Sequence, residues 1–272
     1  MFSTAEIMQM AMDLVGMQDM PGDSAIYNPG TGIKKVLFGI DIGTTELYAA
    51  KQMGFDAVIA HHPPMLPVIP AWQIYMRHID FMVAAGVPEA AARAAVMQRV
   101  EGMIAAGQSA NHDHFPSIAR LYDMPFMNIH CPLDELGRRI MQETVDKCLE
   151  RKPDASLQDV VDALNALPEF QQAFTKIEIA VGDPQAKAGR VVVAHGALTN
   201  GGYSVANTYF EHGVPTVLYI HIPHADLLKL RAEQKGQLIV SGHISSDLVG
   251  INPFVRRLRD AGLDVTTISG IR

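Results

Sequence analysis

The stretch "VLFGIDIGTTELYAAKQMGFDAVIAHHPP", residues 36–64, contains the pattern that decides the fold. An apolar run at 34–41 is followed by a helical pattern at 45–53 and by a second apolar run at 57–62. Gly54 comes directly after the helical pattern, where glycine commonly ends a helix. The succession of strand, helix and strand predicts an α/β unit with parallel strands.

The same alternation continues along the whole chain and predicts two linked α/β lobes with largely parallel or mixed sheets. The polar stretch "LERKPDASLQD", residues 149–159, is the best candidate for the boundary between them. The predicted strands lie at 34–41, 57–62, 127–131, 176–182, 190–195, 216–222, 237–243 and 264–269. The predicted helices lie at 3–16, 45–53, 73–85, 89–106, 115–122, 134–151, 156–166, 202–212, 224–234 and 253–261.

Composition narrows the class of protein and of partner. The 272 residues are 48% hydrophobic and carry a net charge of -7, with the basic residues scattered, which argues against nucleic acid as a partner. Two cysteines, Cys131 and Cys148, do not form a disulfide framework and favour a reducing compartment, so we expect a cytoplasmic location. Charges, glycine and proline interrupt the apolar segment 81–107, so no membrane span is expected.

Six of the 11 histidines lie at the carboxyl ends of predicted strands. In open α/β sheets, ligands bind beyond the carboxyl ends of the strands, so such side chains can converge from distant parts of the sequence. These histidines are His61, His62, His130, His195, His221 and His243. For His195, His221 and also His224, pocket lining and a structural role remain open, whereas a structural role is expected for His78, His112, His114 and His212.

Two of these histidines have an acid four residues later. His130 and Asp134 lie in "IHCPLDELG". Because Pro132 disfavours a helical conformation at Cys131, we expect His130 to end a strand and Asp134 to open the next helix.

His243 and Asp247, in "SGHISSDLVG", form the second pair. Gly242 allows a tight turn, and we expect Ser245 or Ser246 to cap the turn that carries Asp247. Imidazole together with carboxylate is a ligand set that zinc, iron or manganese accepts.

The segments "GFDAVIAHHPP", "MNIHCPLDELG" and "QLIVSGHISSDLVG" resemble, in this order, three motifs of the Nif-three-like family of dinuclear-metal proteins, often labelled GTP cyclohydrolase I type 2. The resemblance extends from about Lys34 to Leu258. It implies a metal-binding lobe made of 1–150 plus 237–272, a second lobe at 151–236, and ring-shaped homohexamers.

The resemblance also implies two divalent metal ions per chain, of zinc, iron or manganese. Their implied ligands are His61, His62, Asp134, His243 and Asp247. His130 takes an accessory role, in which it orients Asp134 or solvent. The family usually has glutamate where this chain has Asp247, and the shorter aspartate would bridge two ions only with closer backbone approach or through a water.

Two adjacent ions activate water, so the resemblance predicts a metal-dependent hydrolase acting on a small substrate such as a nucleotide or phosphorylated compound. The alternative is a non-catalytic metal-binding scaffold or regulatory protein. The glycine-rich segment "HGALTNGGYSVAN", residues 195–207, fits either an anion-holding turn or a simple chain reversal.

"GIDIGTT", residues 39–45, is similar to the first phosphate loop of actin-like kinases. That loop needs a hairpin partner strand, whereas the residues after Thr45 have a helical pattern. We therefore expect this stretch to be a strand that turns at Gly43 into a helix. Asp41 then has either a turn or capping role or a supporting role beside the histidines.

Overall fold

The computed structural model describes residues 1–64 and 70–271. The chain forms two compact units, each with its own sheet. Unit 1 contains Met1–Ile74, Gly102–Leu136 and Gly250–Arg272, and unit 2 contains Tyr75–Glu101 and Gly137–Val249. The predicted architecture of two linked α/β lobes with mixed sheets is confirmed.

Helices and strands alternate through most of the chain. Among the described residues, the strands are β1 (Ala25–Asn28), β2 (Lys35–Gly39), β3 (Ala57–Ala60), β4 (Phe126–Asn128), β5 (Glu178–Val181), β6 (Val191–Val193), β7 (Thr216–Tyr219), β8 (Gln237–Val240) and β9 (Asp264–Ile268). The helices are α1 (Thr4–Asp13), α2 (Thr44–Gln52), α3 (Trp72–Tyr75), α4 (Arg77–Ala84), α5 (Glu89–Gly107), α6 (His114–Leu121), α7 (Cys131–Arg151), α8 (Leu157–Asn165), α9 (Pro168–Gln171), α10 (Gly202–Glu211), α11 (His224–Glu233) and α12 (His243–Asp260).

The sheet of unit 1 has the strand order β1-β4-β3-β2-β9. In this sheet β4, β3, β2 and β9 are mutually parallel, and β1 is an antiparallel edge strand. In the register between β3 and β4, Ala60 pairs with Asn128, so the two strands end side by side. The residues that follow them therefore emerge at the same edge of the sheet.

The sheet of unit 2 has the order β5-β8-β7-β6. Here β8, β7 and β6 are parallel, and β5 is the antiparallel edge strand. A cluster of buried apolar side chains packs on this sheet, including Leu218 on β7 and Leu157 on α8. These three neighbouring parallel strands end at a common edge, as the four parallel strands of unit 1 do.

The eight predicted strands are all present, but the sequence did not predict β1. This strand, "AIYN", is only four residues long and is partly buried at every position. It lacks the alternation of apolar and polar residues that indicates a half-buried strand, and only its hydrogen-bonded pairing with β4 identifies it as a strand.

Several helices differ from expectation. The predicted helix 73–85 is divided into α3 and α4, and the sequence did not predict the short α9. Two predicted starts also lie elsewhere. Cys131 is helical although Pro132 follows it, because a proline in the first turn of a helix removes an N–H that has no partner within the helix. α12 begins at His243 and continues through Pro253, whereas the predicted helix began at 253. Ser245 and Ser246 do not cap it, since their hydroxyls lie inside the helix and donate to Gly242 O.

The residue boundaries of the two compact units differ from those of the predicted lobes, which were 1–150 plus 237–272 and 151–236. β8 pairs with β5 and β7 and so lies in unit 2, although it falls after the predicted boundary at 236. Residues 75–101 also belong to unit 2. The sequence pattern identifies these elements but carries no information on which sheet each joins.

Among the described residues, no helix combines the length and the apolar composition needed to cross a bilayer.

Gly201, which precedes α10, is a position where the fold leaves no room for a side chain. An added Cβ would lie 2.4 Å from Val205 Cβ and 2.8 Å from Tyr219 Oη. We predict that Gly201→Ala lowers the free energy of unfolding by about 1–3 kcal/mol, the usual cost of overpacking. Denaturant titration measures this.

Gly102 provides the matched control. It lies inside α5, and an added Cβ there meets no described atom within 4 Å. Gly102→Ala is expected to be neutral or stabilising by up to about 1 kcal/mol, because alanine is the better helix former. Equal destabilisation by both substitutions would contradict the packing around Gly201.

Candidate metal centre

Unit 1 places three imidazoles at the carboxyl ends of β3 and β4. His61 and His62 extend the strand pairing, since their N–H groups donate to Gly39 O and Ile40 O at 2.9 Å. The ring of His130 lies 4.8 Å from that of His61 and 5.9 Å from that of His62, centroid to centroid. One ring nitrogen of each histidine lies within 4.8 Å of those of the other two. The three rings thus form a cluster of possible ligands.

Each of the three rings is oriented by an acceptor at its Nδ1 atom. The contacts are His61 to Ile129 O at 3.0 Å, His62 to Asp41 Oδ1 at 2.7 Å, and His130 to Asp23 Oδ2 at 2.7 Å. A histidine whose Nδ1–H donates to such an oxygen has Nε2 as its basic nitrogen, which is the usual arrangement of metal-binding histidines.

Asp134 adds a carboxylate to the cluster. It lies in the first turn of α7, where its N–H donates to His130 O, and it is buried. Its Oδ1 lies 3.2 Å from His61 Nε2. Because the carbonyl of Ile129 only accepts, His61 Nδ1 carries a hydrogen, and its other ring nitrogen, Nε2, faces the carboxylate as a ligand atom. An imidazole nitrogen and a carboxylate oxygen this close together are a donor set that fits a divalent ion.

Asp23 is a supporting residue that the sequence reasoning missed. It precedes β1, is buried, and contacts His130. Burial and then the nearby Asp23 carboxylate raise the pKa of Tyr27. An acid followed by serine before a short apolar run was the only signal in the sequence, and it does not distinguish this residue from an ordinary turn.

Asp41 is the acid for which the sequence left two roles open. Its Oδ1 contacts His62 Nδ1 at 2.7 Å, and its N–H donates to Ser269 Oγ. It therefore supports a histidine and also fixes the turn after β2.

Unit 2 places three further histidines after β6, β7 and β8, which are neighbouring parallel strands. His195 and His243 both approach Asp247, which is buried in α12. The Nε2 atoms of His195 and His243 lie 3.9 and 3.4 Å from Asp247 Oδ1 and Oδ2, respectively. The ring of His221 lies 4.7 Å from that of His243. The five predicted ligands are thus divided, with His61, His62 and Asp134 in unit 1 and His243 and Asp247 in unit 2.

The hydrogen position on His221 follows from its neighbours. Asn200 Oδ1 accepts from the N–H of Gly202 at 2.9 Å, which turns the amide Nδ2 towards His221 Nδ1 at 3.0 Å. An amide NH₂ only donates, so His221 Nδ1 accepts and its Nε2 carries the hydrogen. Burial, and then the charge of His243, lower the pKa of His221 to about 4. At neutral pH His221 is a neutral donor through Nε2.

The glycine-rich segment after β6 is held by side chains that donate to its carbonyls. Arg77 Nη1 donates to Gly196 O, His78 Nε2 contacts Thr199 O, and Tyr219 Oη donates to Gly202 O. Burial lowers the pKa of His78 to about 4, with smaller contributions from Arg99 and Arg77. His78 therefore has the structural role expected for it.

The remaining histidines lie away from these clusters. His112, His114, His212 and His224 are exposed. The structural role expected for the first three stays a prediction.

A cavity of about 610 Å³ in unit 1 borders His62. Asp41 and Glu46 contribute carboxylates to its lining, and Ile268 contributes an apolar surface. Its volume is within the range of pockets that bind small molecules.

The chain is similar to several solved structures, whereas no protein-family model and no curated protein matches it. A NIF3 superfamily protein from Sphaerobacter thermophilus is 49% identical, with a TM-score of 0.97 over 99% of each chain. HcgD from Methanocaldococcus jannaschii in its reduced form is 14% identical, with a TM-score of 0.57 over 98% of this chain and 97% of that one. The protein ybgI, of unknown function, is 18% identical, with a TM-score of 0.53 over 98% of each chain. The last two likenesses show the fold alone.

We predict that the buried His78 makes stability depend on pH. Its pKa of about 4 in the folded protein is lower than the 6.5 of an unperturbed histidine. Between these values the unfolded chain binds a proton that the folded chain does not, so the free energy of unfolding falls as pH decreases from 6.5 to 4. The contribution of His78 to this loss is at most about 3 kcal/mol.

Denaturant titrations of wild type and His78→Gln across this pH range measure the effect. The stability difference between the two proteins should shrink towards pH 4, because glutamine does not titrate. His212→Gln, at an exposed site, should follow the wild-type curve. A difference for His78→Gln that is constant with pH would show that His78 does not titrate in this way.

We also predict that His221 carries its hydrogen on Nε2 in metal-free protein at neutral pH. Nitrogen NMR of labelled imidazoles distinguishes the two tautomers directly. Asn200→Asp should move the hydrogen to Nδ1, because a carboxylate only accepts. An Nδ1–H signal from wild-type His221 would contradict the orientation of Asn200.

Proposed function

Because the chain belongs to the NIF3 superfamily, we propose that it binds two divalent metal ions and uses them to hydrolyse a small molecule. The observation that carries this proposal is the cluster of imidazoles and a carboxylate in unit 1, in which all but His62 are buried. The proposed metal ligands are His61, His62, Asp134, His243 and Asp247. Zinc, iron and manganese all accept such nitrogen and oxygen donors.

The local geometry within each unit supports these ligands. In unit 1, the Nδ1 contacts of His61 and His62 orient both rings for ligation through Nε2. In unit 2, Asp247 is buried beside the imidazoles of His195 and His243. A buried carboxylate is costly unless a positive charge or several donors compensate it, and a divalent ion supplies that charge.

Divalent ions held by these residues would lower the pKa of bound water and polarise an electrophilic carbonyl or phosphoryl group. The chain's own side chains hold and orient the reactants. His221, as a neutral Nε2–H donor, can donate a hydrogen bond to a substrate oxygen. Within unit 1, the cavity beside His62 offers room for a small molecule.

The carboxylates that line this cavity bear on the type of substrate. Asp41 and Glu46 would repel a phosphate placed among them, so a phosphorylated substrate would have to direct its phosphate elsewhere. The guanine-nucleotide label of related proteins finds no particular support in these residues. We therefore propose the reaction class without a named substrate.

Three further sequence expectations remain predictions. They are assembly as a homohexamer, a cytoplasmic location, and the absence of nucleic acid among the partners. The first rests on the resemblance to the family, and the other two rest on composition.

The proposal predicts about two metal ions per chain in protein purified without chelator, measured by elemental analysis. His61→Ala and His243→Ala should each lower that number, because each removes an imidazole ligand. His212→Ala is the matched control, since its ring is exposed and lies outside both clusters. Its metal content should equal that of wild type.

Turnover of a panel of nucleotides, phosphoesters and amides separates the hydrolase from the alternative, a non-catalytic metal-binding scaffold or regulatory protein. Hydrolysis that is lost in His61→Ala and His243→Ala but retained in His212→Ala supports catalysis at the metals. Full metal content with no turnover of any compound would favour the scaffold. Protein that contains no metal would refute both.

A further inference from the structure

We propose that His130 is an additional metal ligand and that Asp23 is the positioning residue that fixes its ring. This inference rests on the metal binding proposed above but extends beyond the five ligands named there. It assigns the third imidazole of unit 1 a direct role, and it gives the buried acid before β1 a function.

Asp23 fixes the orientation of the His130 ring relative to the backbone at His130 and Cys131. One carboxylate oxygen, Oδ2, lies 2.7 Å from His130 Nδ1. The other, Oδ1, accepts from the N–H of Cys131 at 3.3 Å. Because the same carboxylate contacts the ring and the next peptide group, rotation of the imidazole would break a charge-assisted hydrogen bond.

Hydrogen bonds connect the segment that carries Asp23 to the end of β4. Ser24 Oγ accepts from the N–H of His130 at 3.0 Å, and Asn128 Nδ2 donates to Asp23 O at 2.7 Å. Asn128 Oδ1 in turn accepts from Tyr27 Oη at 2.8 Å. The pairing of the edge strand β1 with β4 therefore positions the carboxylate of Asp23 beside His130.

Asp134 is the other acid near His130 Nδ1, but its Oδ2 is 3.5 Å away. The shorter contact to Asp23 makes Asp23 the principal acceptor for this nitrogen. Asp134 can then direct its carboxylate to the ion. His130 is left to ligate through Nε2, as expected for a histidine held at Nδ1 by a carboxylate.

With His130 included, unit 1 offers three imidazoles whose ring nitrogens lie within 4.8 Å of one another. Three histidines with a remaining open position are a known arrangement for a catalytic zinc ion. The third imidazole should therefore raise the affinity of unit 1 for one ion.

Asp41 provides a matched comparison within the same cluster. It contacts His62 Nδ1 at 2.7 Å, the same distance as for Asp23 and His130. The side chain of Asp41 is 70% exposed, whereas that of Asp23 is fully buried. Water can replace the carboxylate of Asp41, but the buried site leaves no such substitute for Asp23.

The test measures the affinity of the full chain for Co²⁺ and Zn²⁺ by competition with a chelator, together with the visible absorption of bound Co²⁺. Asp23→Asn should lower the affinity about 10- to 100-fold and alter the Co²⁺ spectrum, as is typical when a partner of a ligating histidine is lost. Asp41→Asn should cause a clearly smaller loss. His130→Ala should lower the affinity at least as much as Asp23→Asn.

A double-mutant cycle shows whether Asp23 acts through His130. Adding Asp23→Asn to His130→Ala should cause little further loss of affinity, because the ring to be positioned is absent. Losses that multiply in the double variant would show that Asp23 has only a general structural role, and unchanged affinity in His130→Ala would show that His130 is not a ligand. Either result overturns the proposal.

Ser24→Ala controls for damage to the fold, since it removes the hydroxyl that accepts from the His130 N–H and donates weakly to Asp23 Oδ1 but keeps the Asp23 carboxylate and its short contact to the His130 ring. It should lower the thermal stability of metal-free protein but retain most of the metal affinity. If Asp23→Asn does not fold, the affinity of His130→Ala decides whether His130 is a ligand. A loss of affinity in Ser24→Ala as large as that in His130→Ala would then overturn the role of Asp23.

Two outcomes separate this inference from the proposed function. Wild-type protein that binds neither metal would refute the proposed function itself. Metal binding that is insensitive to both His130→Ala and Asp23→Asn would refute only this inference.

Discussion

The parallel pairing of β3 with β4 is the constraint on which the candidate site in unit 1 depends. Ala60 pairs with Asn128, and the N–H of Ile129 donates to Ala60 O one step further along. The carbonyl of Ile129 then accepts from His61 Nδ1. Strand pairing thus orients the first imidazole directly and brings His130 beside it. A shift of the register by one residue would move these side chains to opposite faces of the sheet.

Burial adds a second constraint, because polar groups in the interior must find partners. In unit 1 each imidazole of the cluster has an oxygen at Nδ1, and those oxygens come from a backbone carbonyl, an exposed acid and a buried acid. In unit 2 the amide of Asn200 fills the corresponding role for His221, but as a donor. His221 therefore presents a different side of its imidazole from the three rings of unit 1. The rings of unit 1 offer basic nitrogens for a metal, whereas His221 offers an N–H.

The sequence predicted most of the fold because apolar runs and helical patterns alternate regularly from β2 to β9. It also predicted where the histidines would gather, since residues after neighbouring parallel strands emerge at one edge. It could not predict β1 or the role of Asp23, because that strand is short and is defined by its pairing with β4. Nor could it assign β8 to the sheet of unit 2, since strand partners depend on contacts that are distant in sequence. Pro253 obscured the start of α12, because the helix tolerates a proline that usually marks a helix beginning.

The phosphate-loop appearance of "GIDIGTT" has a physical explanation in the turn between β2 and α2. A phosphate loop binds its ligand through backbone N–H groups at the start of a helix. Here the N–H of Gly43 donates to Glu46 Oε2 at 2.8 Å, so the chain's own carboxylate occupies that position. Asp41, two residues earlier, contacts His62. Gly43 at this turn is thus explained by the start of α2, and Asp41 by its contact with His62. A bound phosphate would have to displace Glu46 while approaching the carboxylate of Asp41.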